Sequence, residues 1–496
     1  MIQFSDMRFI FRILPIFLLV YYVLPVKVRP WILLLGSLVF YAVNEPRYVI
    51  LLLGATLLNY LFGKGSLKGK RFFFVCSVLL DVAVLAGCKV LGQVQTSFLL
   101  PMGLSFYMFK MISYQSDLFH GRIRRATLRD TAVYFTMFPQ ILSGPIVRFS
   151  YLEENDAWRG KHFNKSKKSH IWSRFNQVDD GVRYFVLGLA MKVLLADHLA
   201  ILWKEIGTIG YESISTPLAW LGVVTYSLNL YFDFWGYSLM AAGLGVMLGF
   251  PFVRNFDQPY SSKSVSEFYR RWHMTLGQWF RDYVYIPMGG SRKGGVRTFL
   301  NLVIVWLLTG LWHGLRLNFL LWAGVLLVLI ASEKFFLPKL GVLQRVLGRF
   351  HVWVLIPLSW VIFALPTMTD IGVYFSRLFP FFGQGIAVNT TDVITCLTAF
   401  AGYLIVSLIM LIPGWKSIYQ KYKNHDVMTM ILFVVFWLCV YSLANAMGNP
   451  FYYLRFWSYH EEERHLLFTG GNHTELRFFD HYECGMYPQQ ISGLSI

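Results

Sequence analysis

Eight long runs of apolar residues restrict what this chain can fold into. They cover residues 10–22, 31–43, 48–62, 72–86, 184–195, 352–365, 393–413 and 427–443. Each run approaches or reaches the roughly 20 residues that an α-helix needs to cross the hydrocarbon of a bilayer. Backbone groups in hydrocarbon have no water to bond, so these runs must be helical. The sequence therefore predicts an all-α protein that crosses the membrane many times, with roughly ten to twelve spans.

The distribution of charge supports a membrane protein and argues against nucleic-acid binding. Only 15% of the residues are charged, yet the formal net charge is +18. The basic residues lie between the apolar runs, for example at 27–29, 64–71 and 122–129, as the positive-inside rule predicts for cytoplasmic loops. The five cysteines show no paired spacing, so the sequence predicts neither a disulfide framework nor a zinc site.

Three stretches depart from simple spanning helices. Residues 133–147 contain helix-breaking prolines and a glycine, and we expect a re-entrant segment there. Residues 217–250 are too long for one straight span, which predicts one broken helix or two short ones. Residues 299–330 predict a helix, a break and a returning helix. After residue 456 the chain is polar, so we predict a membrane domain at 1–456 and an extracytoplasmic or disordered tail at 457–496.

The stretch at residues 264–286 predicts an amphipathic helix. Ser264 is expected to cap it, because Glu267 follows at the capping-box spacing. Large apolar side chains recur every three or four residues, at Phe268, Trp272, Leu276, Trp279 and Tyr283. A helix lying in the membrane interface, with Trp and Tyr at headgroup level, would explain this stripe. It would not explain His273, which lies between the tryptophans.

The stretch at residues 309–318 places His313 and Arg316 inside an apolar run. An ionisable residue at membrane depth is energetically expensive and usually faces a cavity, which makes it a candidate functional residue. The alternative is a neutral histidine that bonds a carbonyl group across helices. Gly310 and Gly314 would allow a substrate to approach the backbone closely, and this favours the functional interpretation.

These two stretches resemble the membrane-bound O-acyltransferase family, in particular its bacterial branch of alginate O-acetylation proteins. The carrying motifs are EFYRRWHMTLGQWFRDYVYIPMGGSR at 267–292 and LTGLWHG at 308–314, with the histidines 313 − 273 = 40 residues apart. The resemblance runs from about residue 5 to 456 and includes PMGLSFYMF at 101–109, FPQILSGPIVR at 138–148, YFDFWGYSLMAAGLGVMLGF at 231–250, NFDQPY at 255–260 and NPFYYLRF at 449–456.

The resemblance implies transfer of an acyl group from a thioester to a hydroxyl. It makes His313 the expected general base, since the pKa of an imidazole lies near neutral pH, and His273 an assisting or orienting residue. Trp272, Tyr231, Asp233, Trp312 and Asn318 are expected at the substrate site. Asp282 is also expected at the substrate site. The basic residues that could hold an acidic donor are Arg270, Arg271, Arg281, Arg292 and Lys293. Positive-inside anchoring is the alternative role for these basic residues.

The expected function is O-acetylation of an exported or cell-surface polysaccharide by a multi-pass protein of the bacterial inner membrane. The co-substrate would be acetyl-coenzyme A or an acyl carrier protein, with no tightly bound cofactor and no metal. The expected partner is an extracytoplasmic acetyltransferase or a polysaccharide-synthesis complex. Three alternatives stay open, namely D-alanyl transfer to teichoic acid, a transporter, and a scaffold without catalysis.

Overall fold

A computed structural model describes residues 2–95, 98–123, 126–142, 144–154, 167–380 and 390–445, and these ranges are entirely helix and loop, without a strand. The predicted domain boundary at 456, the tail after it and the motif at 449–456 lie outside the described residues. The helices of the N-terminal part are α1 Leu14–Val23, α2 Arg29–Asn44, α3 Val49–Leu67, α4 Arg71–Val94, α5 Leu104–Phe119, α6 Leu128–Thr136, α7 Phe138–Ile141 and α8 Phe149–Glu154.

The remaining helices follow the same chain order. They are α9 Lys167–Ala190, α10 Asp197–Ile209, α11 Thr216–Met247, α12 Val265–Arg271, α13 Met274–Phe280, α14 Gly295–His313, α15 Leu317–Phe335, α16 Leu343–Phe350, α17 Ile356–Ala364, α18 Met368–Leu378, α19 Thr390–Leu411, α20 Trp415–Tyr422 and α21 Asp426–Asn445. Short π-helical turns continue four of these helices, at Phe9–Ile13, Met191–Ala196, Arg281–Tyr285 and His351–Leu355.

The all-α, polytopic architecture is confirmed. In the described ranges, eight helical stretches are long and apolar enough to cross a membrane, and Phe9–Val23 and Arg29–Asn44 are shorter apolar helices. The peripheral helices expose large apolar side chains, such as Ile50 on α3, Phe72 on α4 and Tyr441 on α21. Such surfaces suit contact with lipid tails. The predicted total of ten to twelve spans stays a prediction.

Helix α11 lies at the centre of the bundle and differs from the prediction. It runs unbroken from Thr216 to Met247, and nearly all of its side chains are buried. Glycines allow α9 to approach it closely, because a Cβ atom at Gly188 would lie 2.5 Å from the carbonyl oxygen of Gly236. Small residues at such contacts are typical of helix packing in membranes. Asn229 within α11 is accommodated without a break, since its amide donates to the carbonyl of Ala196 (2.7 Å).

The segment at 128–154 is broken, as its prolines and glycine predict. Its helices α6, α7 and α8 have only nine, four and six residues, and residues 144–148 are not helical. Side chains from other elements satisfy its backbone. Ser37 accepts from the N–H of Phe138 (3.1 Å) and Thr275 from the N–H of Ile146 (3.0 Å). Irregular backbone in a membrane protein requires such burial within the protein.

Candidate functional site

His273 lies at a break between two short helices rather than within one. Ser264 caps α12 as predicted, accepting from the N–H of Glu267 (3.0 Å), but α12 ends at Arg271 and α13 begins only at Met274. His273 adopts a left-handed backbone conformation with φ of 42°. The predicted continuous helix over 264–286 is therefore wrong. Phe268, Trp272 and Trp279 are also buried against other helices, so the stripe contacts protein.

Within the described part of the chain, only one of the two ring nitrogens of His273 has a hydrogen-bond partner. Its Nδ1 lies 3.2 Å from the Oδ1 atom of Asn255, and its edge packs against Phe234 with 4.7 Å between ring centroids. Its Nε2 is buried and has no hydrogen-bond partner in the described part of the chain. An unsatisfied buried nitrogen is uncommon in a folded protein and calls for an explanation such as a ligand.

His313 is the last residue of α14, and aromatic rings surround it. The centroids of Trp312, Phe363 and Trp322 lie 4.5, 5.0 and 5.1 Å from its own. The ammonium group of Lys89 on α4 donates to the carbonyls of Leu311 (3.5 Å) and Trp312 at the end of α14. A cation at a helix C-terminus complements the helix dipole. Lys89 therefore stabilises the turn that carries His313.

Both histidines line a single cavity of about 220 Å³ with mostly aromatic walls. Leu302, Val305, Trp306, Thr309 and His313 lie along its α14 side. Because a helix rises 1.5 Å per residue, the eleven steps from Leu302 to His313 correspond to about 16 Å. The other lining residues are Leu230, Phe234, Tyr269, Trp272, His273, Leu276, Gly277, Phe280, Arg281, Tyr285, Trp322, Trp360 and Phe363. The cavity is thus long, narrow and apolar, with His313 at one end of the α14 wall.

The lining of the cavity also carries charge. Arg281, an exposed lining residue, donates to Asp282 through Nε (2.6 Å) and Nη2 (3.2 Å), and Arg148 also pairs with Asp282. Burial alone would raise the pKa of the Asp282 carboxyl. The hydrogen bond from Arg281 and the charge of Arg148 outweigh it, so the pKa lies below its usual value. The carboxylate therefore stays ionised and orients Arg281.

The predicted site residues divide into two groups. Trp272, His273, Arg281 and His313 line the cavity, and Asp282 is paired to one of them. Arg270 is exposed, and Arg271 pairs with Glu267 (2.6 Å), so both lie on the outer side of α12. Arg292 and Lys293 lie in the exposed loop before α14.

Four further predicted residues, which are buried, also do not line the cavity. Asp233 pairs with the buried ammonium of Lys192 (3.0 Å), and Asn318 donates to the carbonyl of Phe363 (3.1 Å). Tyr231 stacks on Trp235. Trp312 contacts both histidines but is not part of the cavity wall, and it stacks on Phe109. Direct contact with a substrate in this cavity is therefore not their role, although Trp312 touches both imidazole rings, with centroids 6.3 Å from His273 and 4.5 Å from His313.

The glycines of LTGLWHG have a different use from the predicted one. A Cβ atom at Gly310 would lie 3.1 Å from the carbonyl oxygen of Phe319, and one at Gly314 would lie 2.5 Å from its ring. Neither glycine lines the cavity. They allow α14 and α15 to pack closely, and so bring Trp322 against His313.

Two residues of the site were missed in the sequence. Lys89 is an isolated charge within an apolar run, which is a recognised signal of function at membrane depth. Asn255 begins the motif NFDQPY, and no spacing rule connects it with a histidine 18 residues later. Among the described residues, no group of three or more His, Cys, Asp or Glu side chains is arranged to hold a metal ion.

Fold and site together define a helical membrane protein with two histidines on one cavity. The chain belongs to the membrane-bound O-acyltransferase family, whose model matches residues 8–365, and it is an O-acyltransferase. It is 33% identical over 503 residues to a "Probable alginate O-acetylase AlgI" of Pseudomonas putida, covering 91% of this chain and 100% of that protein. The family assignment favours an enzyme over a transporter or a scaffold.

Two further relatives carry different names. The chain is 27% identical over 413 residues to a "Peptidoglycan O-acetyltransferase" of Helicobacter pylori, covering 73% of this chain and 76% of that protein. It is also 27% identical to a "Teichoic acid D-alanyltransferase" of Bacillus subtilis over 246 residues, covering 47% of this chain and 59% of that protein.

Proposed function

We propose that this protein transfers an acetyl group from a cytoplasmic thioester, through the cavity, for O-acetylation of an exported or cell-surface polysaccharide. The observation that carries the proposal is the convergence of two histidines on one narrow apolar cavity that also has Arg281 in its lining. The names of the relatives support acetyl as the acyl group and a polysaccharide as the final acceptor. The bacterial inner membrane is the matching location, since thioester donors are made in the cytoplasm and the polymer lies outside.

In the proposed reaction, His313 is the general base. A hydroxyl is a weak nucleophile at neutral pH, and a positioned imidazole raises its reactivity by accepting its proton. The hydroxyl oxygen attacks the thioester carbonyl, the new C–O bond forms and the C–S bond breaks. The proton held by the imidazole then passes to the leaving thiolate, which departs as a thiol. The apolar walls limit competing hydrolysis by excluding water.

The shape of the cavity suits the proposed donor. A flexible thioester arm is narrow and largely apolar, and the cavity extends about 16 Å along α14. Arg281 lines the cavity and is exposed, so it would hold an anionic carrier, whether coenzyme A or an acyl carrier protein, by its phosphate or acidic groups. The bulky carrier would stay on the cytoplasmic side while the acetyl group reaches His313.

The acceptor is proposed to approach from the other side of the membrane. Among the possibilities raised by the sequence, an extracytoplasmic acetyltransferase or a polysaccharide-synthesis complex would receive the group. D-alanyl transfer would use the same chemistry, but the D-alanyltransferase relative aligns with under half of this chain, whereas the acetylase and acetyltransferase relatives align with 91% and 73%. We therefore favour acetyl.

The test is the acetyl ester bound to surface polysaccharide in cells that carry His313→Ala. We expect the ester to be lost while the amount of protein in the membrane stays normal. The matched control is His198→Ala, because His198 stacks on Tyr403 (4.3 Å) and does not line the cavity. Ester at the wild-type level in the His313 variant would contradict the mechanism. Release of D-alanine rather than acetate from wild-type polymer would refute the choice of acyl group.

A further inference from the structure

Asn255, the hydrogen-bond partner of His273, indicates which nitrogen of the imidazole ring is protonated. We propose that Asn255 is a positioning residue that fixes the tautomer of His273, so that Nε2 presents a lone pair to the cavity. A second O–H or N–H group of the acceptor would then donate a hydrogen bond to His273, while His313 takes the proton of the attacking hydroxyl. This inference rests on the proposed function and adds to it a residue outside the cavity wall.

The orientation of the Asn255 amide is fixed by its neighbours. The backbone N–H of Thr275 points to Oδ1 of Asn255 (3.2 Å), and a backbone N–H can only donate, so that atom is the oxygen. The hydroxyl of Thr275 also donates to it (2.9 Å), because an amide oxygen can only accept, and the same hydroxyl accepts from the N–H of Ile146. The Nδ2 of Asn255 donates to the hydroxyl of Ser238 (3.0 Å).

The tautomer of His273 follows from this orientation. Its Nδ1 lies 3.2 Å from an oxygen that has no hydrogen to give, so Nδ1 must carry the proton for the contact to be a hydrogen bond. A neutral imidazole has one proton, and Nε2 is therefore unprotonated. That atom is buried and has no partner among the described residues, while the ring lines the cavity. An entering hydroxyl would satisfy it.

Backbone contacts hold the two residues in register. The N–H of Met274 donates to the carbonyl of Asn255 (2.8 Å), and the N–H of Asp257 donates to the carbonyl of Arg271 (3.0 Å). Residues 255–257 thus form hydrogen bonds with the chain on both sides of the break between α12 and α13. The left-handed conformation of His273 is uncommon for a residue other than glycine and persists only where surrounding contacts impose it. The two backbone hydrogen bonds to residues 255–257 are such contacts.

The experiment compares Asn255→Ala, Asn255→Asp and Ser238→Ala. Inverted membrane vesicles from the host supply the natural acceptors, acetyl-coenzyme A with a labelled acetyl group is the donor, and ester formation is followed between pH 5.5 and 9. For Asn255→Ala we expect kcat to fall on the order of 10- to 100-fold, which is at or below the lower limit of the 10²–10⁴-fold that a positioned acid–base group contributes, because Asn255 acts through His273. KM for the donor should not change, because Asn255 does not line the cavity.

The other two variants separate positioning from folding. Asn255→Asp keeps the acceptor oxygens and adds a negative charge that favours the imidazolium form, so activity should return in part and its acid limb should move to higher pH. Ser238→Ala removes the far end of the same network but leaves Oδ1 held by Thr275, so it should retain the wild-type rate. A kcat–pH profile of Asn255→Asp that superimposes on the wild-type profile would overturn the inference.

Failure of this role can be told apart from failure of the proposed function. Full-rate transfer by Asn255→Ala beside an inactive His273→Ala would overturn the role of Asn255 alone. Absence of ester from wild-type vesicles would overturn the proposed function and this role with it.

Discussion

A buried ion pair outside the cavity wall gives a prediction that separates stability from catalysis. Lys192 lies in the π-helical turn between α9 and α10, and its side chain is 2% exposed. Its ammonium pairs with Asp233 on α11 (3.0 Å) and with Asp197. The motif around Asp233 suggested a substrate residue, whereas the structure places its carboxylate against Lys192. The variant Lys192→Met should therefore reduce stability without altering the chemical step.

The magnitude follows from the burial of the pair. Removing one partner of a buried pair leaves the other charge in a medium of low polarity, which typically reduces stability by about 3–5 kcal/mol. Asp233→Asn should have a smaller effect, about 1–3 kcal/mol, because Lys192 keeps Asp197 and the amide can still accept a hydrogen bond. Domains of 150–250 residues lose roughly 2–4 °C per kcal/mol. In this longer chain the unfolding entropy is larger and the shift is roughly 1 °C per kcal/mol, so we expect Lys192→Met to lower the apparent Tm by about 3–5 °C.

The assay is thermal unfolding of the purified protein in detergent, together with the transfer rate per folded molecule. Lys204→Met is the matched control, since Lys204 is an exposed residue of the neighbouring helix α10, and its Tm should equal that of the wild type. A Lys192→Met protein with unchanged Tm would refute the energetic reasoning. Loss of transfer with an unchanged Tm would show that the pair serves catalysis instead.

Three further predictions concern the pairing of Asp282 with Arg281 and the helix packing at Gly310. Asp282→Asn releases Arg281, so KM for the thioester donor should rise about fivefold, equivalent to ~1 kcal/mol, with kcat unchanged; an unchanged KM would refute the orienting role. Because the pKa of Asp282 is lowered in the folded chain, its stabilising effect is complete above the ordinary aspartate pKa and is lost as pH falls through the lowered value. The Tm of the wild type should therefore drop more between pH 7 and pH 3 than that of Asp282→Asn, and equal drops would contradict this. Gly310→Ala should lower both Tm and activity because its Cβ meets the Phe319 carbonyl, whereas Gly324→Ala, with open space around it, should change neither; equal melting temperatures for the two variants would argue against tight packing.

Most of the architecture could be predicted from the sequence because its physical cause is local. Long apolar runs predict spanning helices whatever their neighbours, and the prolines at 139 and 145 predict a broken segment. The turn between His313 and Leu317 was likewise expected, and it separates α14 from α15. The convergence of His273 and His313 on one cavity was expected from family resemblance and not from periodicity.

The departures share a different cause, because each depends on contacts between distant segments. The aromatic stripe at 268–283 continues through His273 without a change of period, so the pattern does not reveal the break. The length of residues 217–250 suggested a broken α11, but the helix continues, and Lys192 and the Ala196 carbonyl satisfy its polar residues Asp233 and Asn229. Gly310 and Gly314 were assigned to substrate approach because the partner helix that contacts them could not be seen in the sequence.

The left-handed backbone at His273 sets stability against activity at one position. For a residue with a Cβ atom, that conformation is less favourable than the right-handed one by roughly 1–2 kcal/mol, whereas glycine adopts it freely. Selection for heat resistance alone would favour glycine here, and selection for transfer would retain the imidazole. A His273→Gly protein would therefore be a suitable form in which to trap a bound donor, since the chain would keep its turn while losing the group that engages the acceptor.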